Sequence, residues 1–341
     1  MSATKTALKV AGVAAGVAVG AAGAAYGAQR AVARNLRHRP DPDAGMLGQL
    51  RIDESRVLRG HDGGDLFTAS RGAGPTFVFS HGVSISSRTW VKQFAELPER
   101  GARVVAYDHR GHGSSAVGES GHSIANLGDD LATVIEGLDL HDVVLVGHSM
   151  GGVAVQAYAL GHTAAAHDRV RGLVLLSSFA RTPLAALGRL GGSAERVSGW
   201  LDLAGLAGRR ELGTLIARLG FGRDPRASHV ELTRQMLASC DAATNRAAVL
   251  PLLGVDLTAE LERLAIPTLV VGGTADRLTP PGESRRLARH IAGARLQLLE
   301  GAGHMIMLER TAEFHELLLG FAAEVGLPVA ALGSPRHDGA E

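Results

Sequence analysis

The chain has 341 residues, with 35 Lys plus Arg against 34 Asp plus Glu and a formal net charge of +1. That balance, without a Lys-rich block or a basic stripe interleaved with aromatics, argues against a nucleic-acid partner. A hydrophobic share of 45% is enough for a sizeable core, and the single cysteine, Cys240, excludes an intramolecular disulfide and any cysteine-based metal cluster.

Residues 1–40 form an Ala/Gly-rich N-terminal segment. Val10 to Gln29 carries no charge and has the length of a membrane-crossing helix. Gly12, Gly16 and Gly20 share one helical face, a spacing that lets membrane helices approach closely. Insertion is nonetheless marginal, because the four Val residues contribute only about −0.3 to −0.6 kcal/mol each. The expectation is membrane association through residues 10–29, with Arg30, Arg34, Arg37 and Arg39 holding the rest of the chain on the cytoplasmic side. A secretory signal competes with that reading. It would use Lys5 and Lys9 as its basic region and Ala22-Gly23-Ala24 as the cleavage site of a secreted protein. A surface or disordered helix is the third.

After the Pro/Asp stretch Arg39 to Asp43, short β-rich runs alternate with helical stretches, the pattern of a mostly parallel sheet covered by helices. Thr76–Ser80, Arg103–Asp108, Asp142–Gly147, Val170–Ser178, Pro267–Gly273 and Arg295–Glu300 read as strands. Several are unbroken apolar runs, as strands buried on both faces require. Ile52–Leu58 and Asp65–Ser70 add two antiparallel edge strands around a turn at His61 to Asp65, which brings the sheet to eight. Residues 181–255 offer only helix-like Leu/Ala/Arg periodicity and read as an inserted helical cap between core segments 50–180 and 256–326. Residues 333–341 read as a disordered tail.

Chemistry is concentrated where strands end. Gly147-His148-Ser149-Met150-Gly151-Gly152 follows the run D-V-V-L-V-G and opens a helical stretch, so G-x-S-x-G sits in a strand-turn-helix context. A turn that sharp strains the central residue and leaves no room for side chains two positions away, which Gly147 and Gly151 lack. Ser149 then stands at a helix N-terminus, where free N–H groups favour developing negative charge. His148 is expected to pack rather than react. Ser80-His81-Gly82-Val83 ends the first core strand, and the amides of Val83 and Met150 are the candidate oxyanion donors.

A serine nucleophile needs a base and an acid that orients it. Asp276 follows the strand P-T-L-V-V-G-G-T-A, and His304 follows R-L-Q-L-L-E-G-A-G in the same way. Asp256 is the alternative acid, although no clear strand precedes it. The remaining histidines, including His109 and His112, read as structural or exposed, and Cys240 as a small buried side chain.

These motifs in this order resemble the α/β-hydrolase superfamily from about Val57 to Val325, apart from the insertion. H-G-V-S with Trp90 downstream, D-H-R-G-H-G-S-S at Asp108 to Ser115, G-H-S-M-G-G at Gly147 to Gly152, and G-A-G-H ending at His304 carry the resemblance. It implies a serine hydrolase acting on carboxylic esters or thioesters through an acyl-enzyme, without metal or organic cofactor. Perhydrolases of the haloperoxidase kind and carbon–carbon hydrolases share the constellation and remain alternatives, as does a catalytically silent ligand-binding protein. Epoxide hydrolases do not fit: they use an aspartate nucleophile and cap tyrosines, and Tyr26, Tyr107 and Tyr158 all lie outside 181–255. Leu-rich composition with Trp200 and Phe221 in the insertion points to a small hydrophobic substrate. Arg209 and Arg210 would meet an anionic group or face solvent.

Overall fold

The computed structural model describes residues 40–45, 47–182 and 207–327. Eight strands run in the order β1-β2-β4-β3-β5-β6-β7-β8: β1 Glu54–Arg59, β2 Asp65–Arg71, β3 Thr76–Ser80, β4 Arg103–Tyr107, β5 Val143–His148, β6 Val170–Leu176, β7 Thr268–Gly273 and β8 Arg295–Leu299. β1 pairs with β2, and β2 with β4, antiparallel. From β4 through β3, β5, β6 and β7 to β8 the pairing is parallel.

Alternate residues of the same strands feed two separate cores. Phe77, Phe79, Val104, Ala106, Val144, Val146, Val174 and Leu176 face one side, where α1 (Val91–Glu96), α9 (Ile306–Glu309) and α10 (Thr311–Glu324) pack. Val78, Val105, Val143, Leu145, Leu173 and Leu175 face the other, against α2 (Ile124–Gly137), α3 (Met150–Gly161), α4 (Thr163–Arg169) and α8 (Pro281–His290). Burial on both faces is the reason these strands read as continuous apolar runs. β1 is the exception, exposed along most of its length at the sheet edge.

Between β6 and β7 lie α5 (Arg210–Leu219), α6 (Ala227–Ser239) and α7 (Ala242–Gly254). Residues 183–206, with Trp200, and the tail 333–341 lie outside the described residues. Phe221 is buried, whereas Arg209 and Arg210 are exposed. Cys240 is half-buried rather than fully buried, and burial together with Asp241 pushes its thiol up to about 11, which leaves it unreactive near neutral pH.

The membrane expectation is withdrawn. No helix among the described residues is long and apolar enough to cross a bilayer, and residues 10–29 lie outside the described residues. The Ala/Gly composition of that stretch supplies little insertion energy of its own.

Asp41 and Asp43, ahead of β1, form a clasp. Asp41 accepts hydrogen bonds from Ser228 N at 2.7 Å and Ser228 Oγ at 3.0 Å, at the first turn of α6. Asp43, 3% exposed, accepts from Lys92 Nζ at 3.0 Å, from His229 Nε2 at 2.7 Å and from Arg226. Two acids thereby tie the inserted helix α6 to α1 of the core.

Candidate active site

β5 runs straight into the helix α3, and Ser149 at the junction has φ 54° and ψ −117°. A side chain at Gly147 would collide with the Gly151 carbonyl, and one at Gly151 with the Ser80 carbonyl on the neighbouring strand end. Those two glycines are therefore required by contact as well as by the turn. Gly152 is required too, because a Cβ there would strike the Ser178 hydroxyl.

The loop after β3 comes close to this elbow. A Cβ placed on Gly82 would lie 3.3 Å from the Ser149 Cβ and 3.0 Å from His148 Nδ1. Histidines grip the peptide groups on either side of Val83. His81 Nδ1–H donates to the Gly82 carbonyl at 2.7 Å, and His112 Nε2 accepts the Ser84 amide at 3.1 Å. In a trans peptide the C=O and N–H point opposite ways, so anchoring the Gly82 carbonyl on His81 aims the Val83 N–H away from it. Among the described residues neither the Val83 nor the Met150 amide has a protein acceptor. Ser84 holds φ 64° and donates a hydrogen bond from its hydroxyl to Asn245 Oδ1 of α7, which links this loop to the insertion.

Burial sets the protonation of these rings. It lowers His81 to about 4, reinforced by His112, and lowers His112 and His109 as well. Neutral rings suit their roles, because His112 must offer a lone pair at Nε2. Asp108 supports the same loop, accepting from Ser87 N at 2.7 Å and Ser114 N at 2.9 Å.

The loops that carry Asp276 and His304 meet at the ends of β7 and β8. His304 Nδ1–H donates to Asp276 Oδ2 at 2.9 Å, which leaves Nε2 as the proton acceptor. Asp276 Oδ1 accepts the amides of Leu278 at 2.8 Å and Thr279 at 2.9 Å, and the Thr279 hydroxyl lies 2.7 Å from Oδ2. Burial alone would raise the Asp276 carboxyl, but the His304 ring and the Thr279 hydrogen bonds hold it below the usual carboxylate range. Ser149, Asp276 and His304 are 8%, 4% and 6% exposed, so all three are shielded from bulk water.

His148 does more than pack. Its Nε2–H donates to the His304 carbonyl at 3.1 Å, and the two rings lie 4.6 Å apart. Burial and the neighbouring His304 keep His148 neutral, well below the ordinary histidine range. The strand that presents Ser149 thus also pins the backbone of residue 304. Asp256 stands elsewhere, bridged to Arg181 and half-exposed. Around the elbow an apolar cluster of Leu127, Met150, Phe179 and Leu252, with Val83 against it, joins α2 and α3 to α7. Among the described residues no group of three or more His, Cys, Asp or Glu side chains is placed to hold a metal ion.

A family model described as the alpha/beta hydrolase fold matches residues 75–311. A non-heme chloroperoxidase of Kitasatospora aureofaciens is 30% identical over 72% of this chain and 91% of its own length. A non-heme haloperoxidase of Rhodococcus erythropolis is 30% identical over 71% of this chain and 90% of its own. Among solved structures, a thermophilic esterase from Thermogutta terrifontis superposes with a TM-score of 0.66 at 27% identity, over 80% of this chain and 99% of that one.

Proposed function

The chain belongs to the α/β-hydrolase fold family, and from that premise we propose that it is a serine hydrolase of carboxylic esters with an apolar acyl or alcohol part. The observation that carries this reading is the 2.9 Å bond from His304 to Asp276, beside an elbow that holds Ser149 at φ 54°. The likeness to an esterase structure supports the ester bond as target, and the Leu-rich composition of the insertion supports a hydrophobic substrate.

In this mechanism Ser149 Oγ attacks the ester carbonyl while His304 Nε2 takes the hydroxyl proton. The carbonyl oxygen becomes an oxyanion held by the Val83 and Met150 amides, in surroundings where such donors count for several kcal/mol. Collapse expels the alcohol, which leaves with the proton from His304. Water, deprotonated by the same imidazole, then releases the acid, and Asp276 stabilises the imidazolium in both halves.

Ser149→Ala should reduce p-nitrophenyl ester turnover by about 10⁴-fold or more and abolish labelling by a fluorophosphonate in the folded protein. Undiminished turnover in that variant would sink the assignment. The two curated relatives named as peroxidases favour a second reading, in which hydrogen peroxide replaces water and the acyl-enzyme yields a peracid. Peracid release that requires Ser149 would select it.

A further inference from the structure

The loop that carries His304 and the turn that follows α5 are joined backbone to backbone. His304 N and Met305 N both donate to Gly220 O, at 2.8 and 3.1 Å, and Arg223 N donates to Gly301 O at 3.1 Å. At the centre of the seam Gly222 and Gly303 abut without room for a side chain. A Cβ on Gly222 would lie 2.7 Å from Gly303 N, and one on Gly303 would lie 2.8 Å from the Phe221 Cα. One carboxylate spans the seam: Glu309 of α9 accepts Gly222 N at 2.7 Å on Oε2 and Gly303 N at 3.0 Å on Oε1. Nothing in the ester mechanism uses this acid.

We propose that Glu309 is a positioning residue that locks the Gly222 turn of the insertion to the Gly303 loop, and so sets where the His304 imidazole stands relative to Ser149. The inference rests on the reading of Ser149 and His304 as nucleophile and base. A carboxylate offers an acceptor to each of the two amides, whereas a carboxamide has a single acceptor oxygen and turns an N–H against the other amide. Displacement of a catalytic group by about 1 Å costs on the order of 100-fold in rate, and an unopposed donor at this seam is a direct way to cause it. Burial raises the Glu309 carboxyl, an effect that the Gly222 and Gly303 amides oppose by favouring its charged form.

Glu309→Gln should lower kcat for p-nitrophenyl esters by about tenfold or more while KM stays within about twofold, and should slow fluorophosphonate labelling of Ser149 in parallel. Amide hydrogen exchange at Gly222 and Gly303 should speed up in the same variant, a readout that does not depend on activity. Gly222→Ala, which drives a methyl group into the Gly301 carbonyl, should give the same split between kcat and KM and covers the case in which Glu309→Gln fails to fold. Wild-type kcat in either folded variant, or unchanged exchange at both glycines in Glu309→Gln, overturns the proposal. If the wild-type protein neither turns over esters nor takes up the probe, the hydrolase reading fails, and unchanged or faster exchange alone decides the clamp.

Discussion

Thr279 shows how closely the acid at this site is supported. Its hydroxyl lies 2.7 Å from Asp276 Oδ2, 2.9 Å from the Ser177 carbonyl and 3.1 Å from His304 Nδ1, and its amide binds Asp276 Oδ1. A hydrogen bond to a buried charged group contributes about 1.5–3 kcal/mol. Thr279→Val keeps the shape and removes the hydroxyl, so kcat should fall about tenfold or more with KM nearly unchanged, as steady-state ester kinetics would read. Ser149, Asp276 and His304 stand out in the sequence as candidates because each follows a strand and the serine lies between obligatory glycines. His81, His112 and His148 could not be assigned in the same way. A histidine's role depends on which ring nitrogen bears the proton, and only the partners Gly82 O, Ser84 N and His304 O reveal that. Glu309 is equally hidden, since five residues beyond His304 nothing in the sequence shows that it turns back onto the amides of residues 222 and 303.

At the level of elements, the strands were the most legible part, because burial on both faces leaves apolar runs with no helical period. The antiparallel strands β1 and β2 are legible through the turn between them rather than through hydrophobicity, and only β1 lies at the sheet edge, because β2 pairs on its other side with β4. What the sequence concealed was the clasp. Asp41-Pro42-Asp43 has the composition of a linker, yet its partners Lys92, Arg226, Ser228 and His229 are all distant in the chain. Burial alone would raise the Asp43 carboxyl, but hydrogen bonds from Lys92, His229 and Arg226 bring it to about 2, so it is charged throughout the working range. Asp43→Asn weakens three bonds at once and should cost about 2 kcal/mol at pH 7. The expected signature is a lower urea midpoint with an unchanged slope, and a midpoint equal to wild type would count against the clasp.

Across the whole molecule, the number of buried neutral histidines has a consequence for acid tolerance. Burial lowers His81, His122 and His315 to about 4 and also depresses His109, His112, His148 and His229. Folded values below the ordinary 6.5 mean that the unfolded chain binds protons that the folded chain refuses. Their contribution is complete above about pH 6.5 and is lost as the pH falls toward 4. Each such ring adds up to about 1.4 kcal/mol per pH unit to the slope, against a total stability of about 5–15 kcal/mol. Far-UV circular dichroism should therefore show loss of structure already above pH 4, and a fold intact at pH 3.5 would contradict the neutral assignment of these rings.

The glycine seam between residues 220–223 and 301–305 also bears on how variants of this enzyme could be built. Replacing the inserted helices with those of another hydrolase would remove the backbone that receives the amides of residues 304 and 305. A graft that begins after Arg223 keeps the native acceptor at Gly220, whereas one that begins before α5 discards it. The boundary for recombining parts of this chain therefore runs through the insertion rather than at its sequence ends.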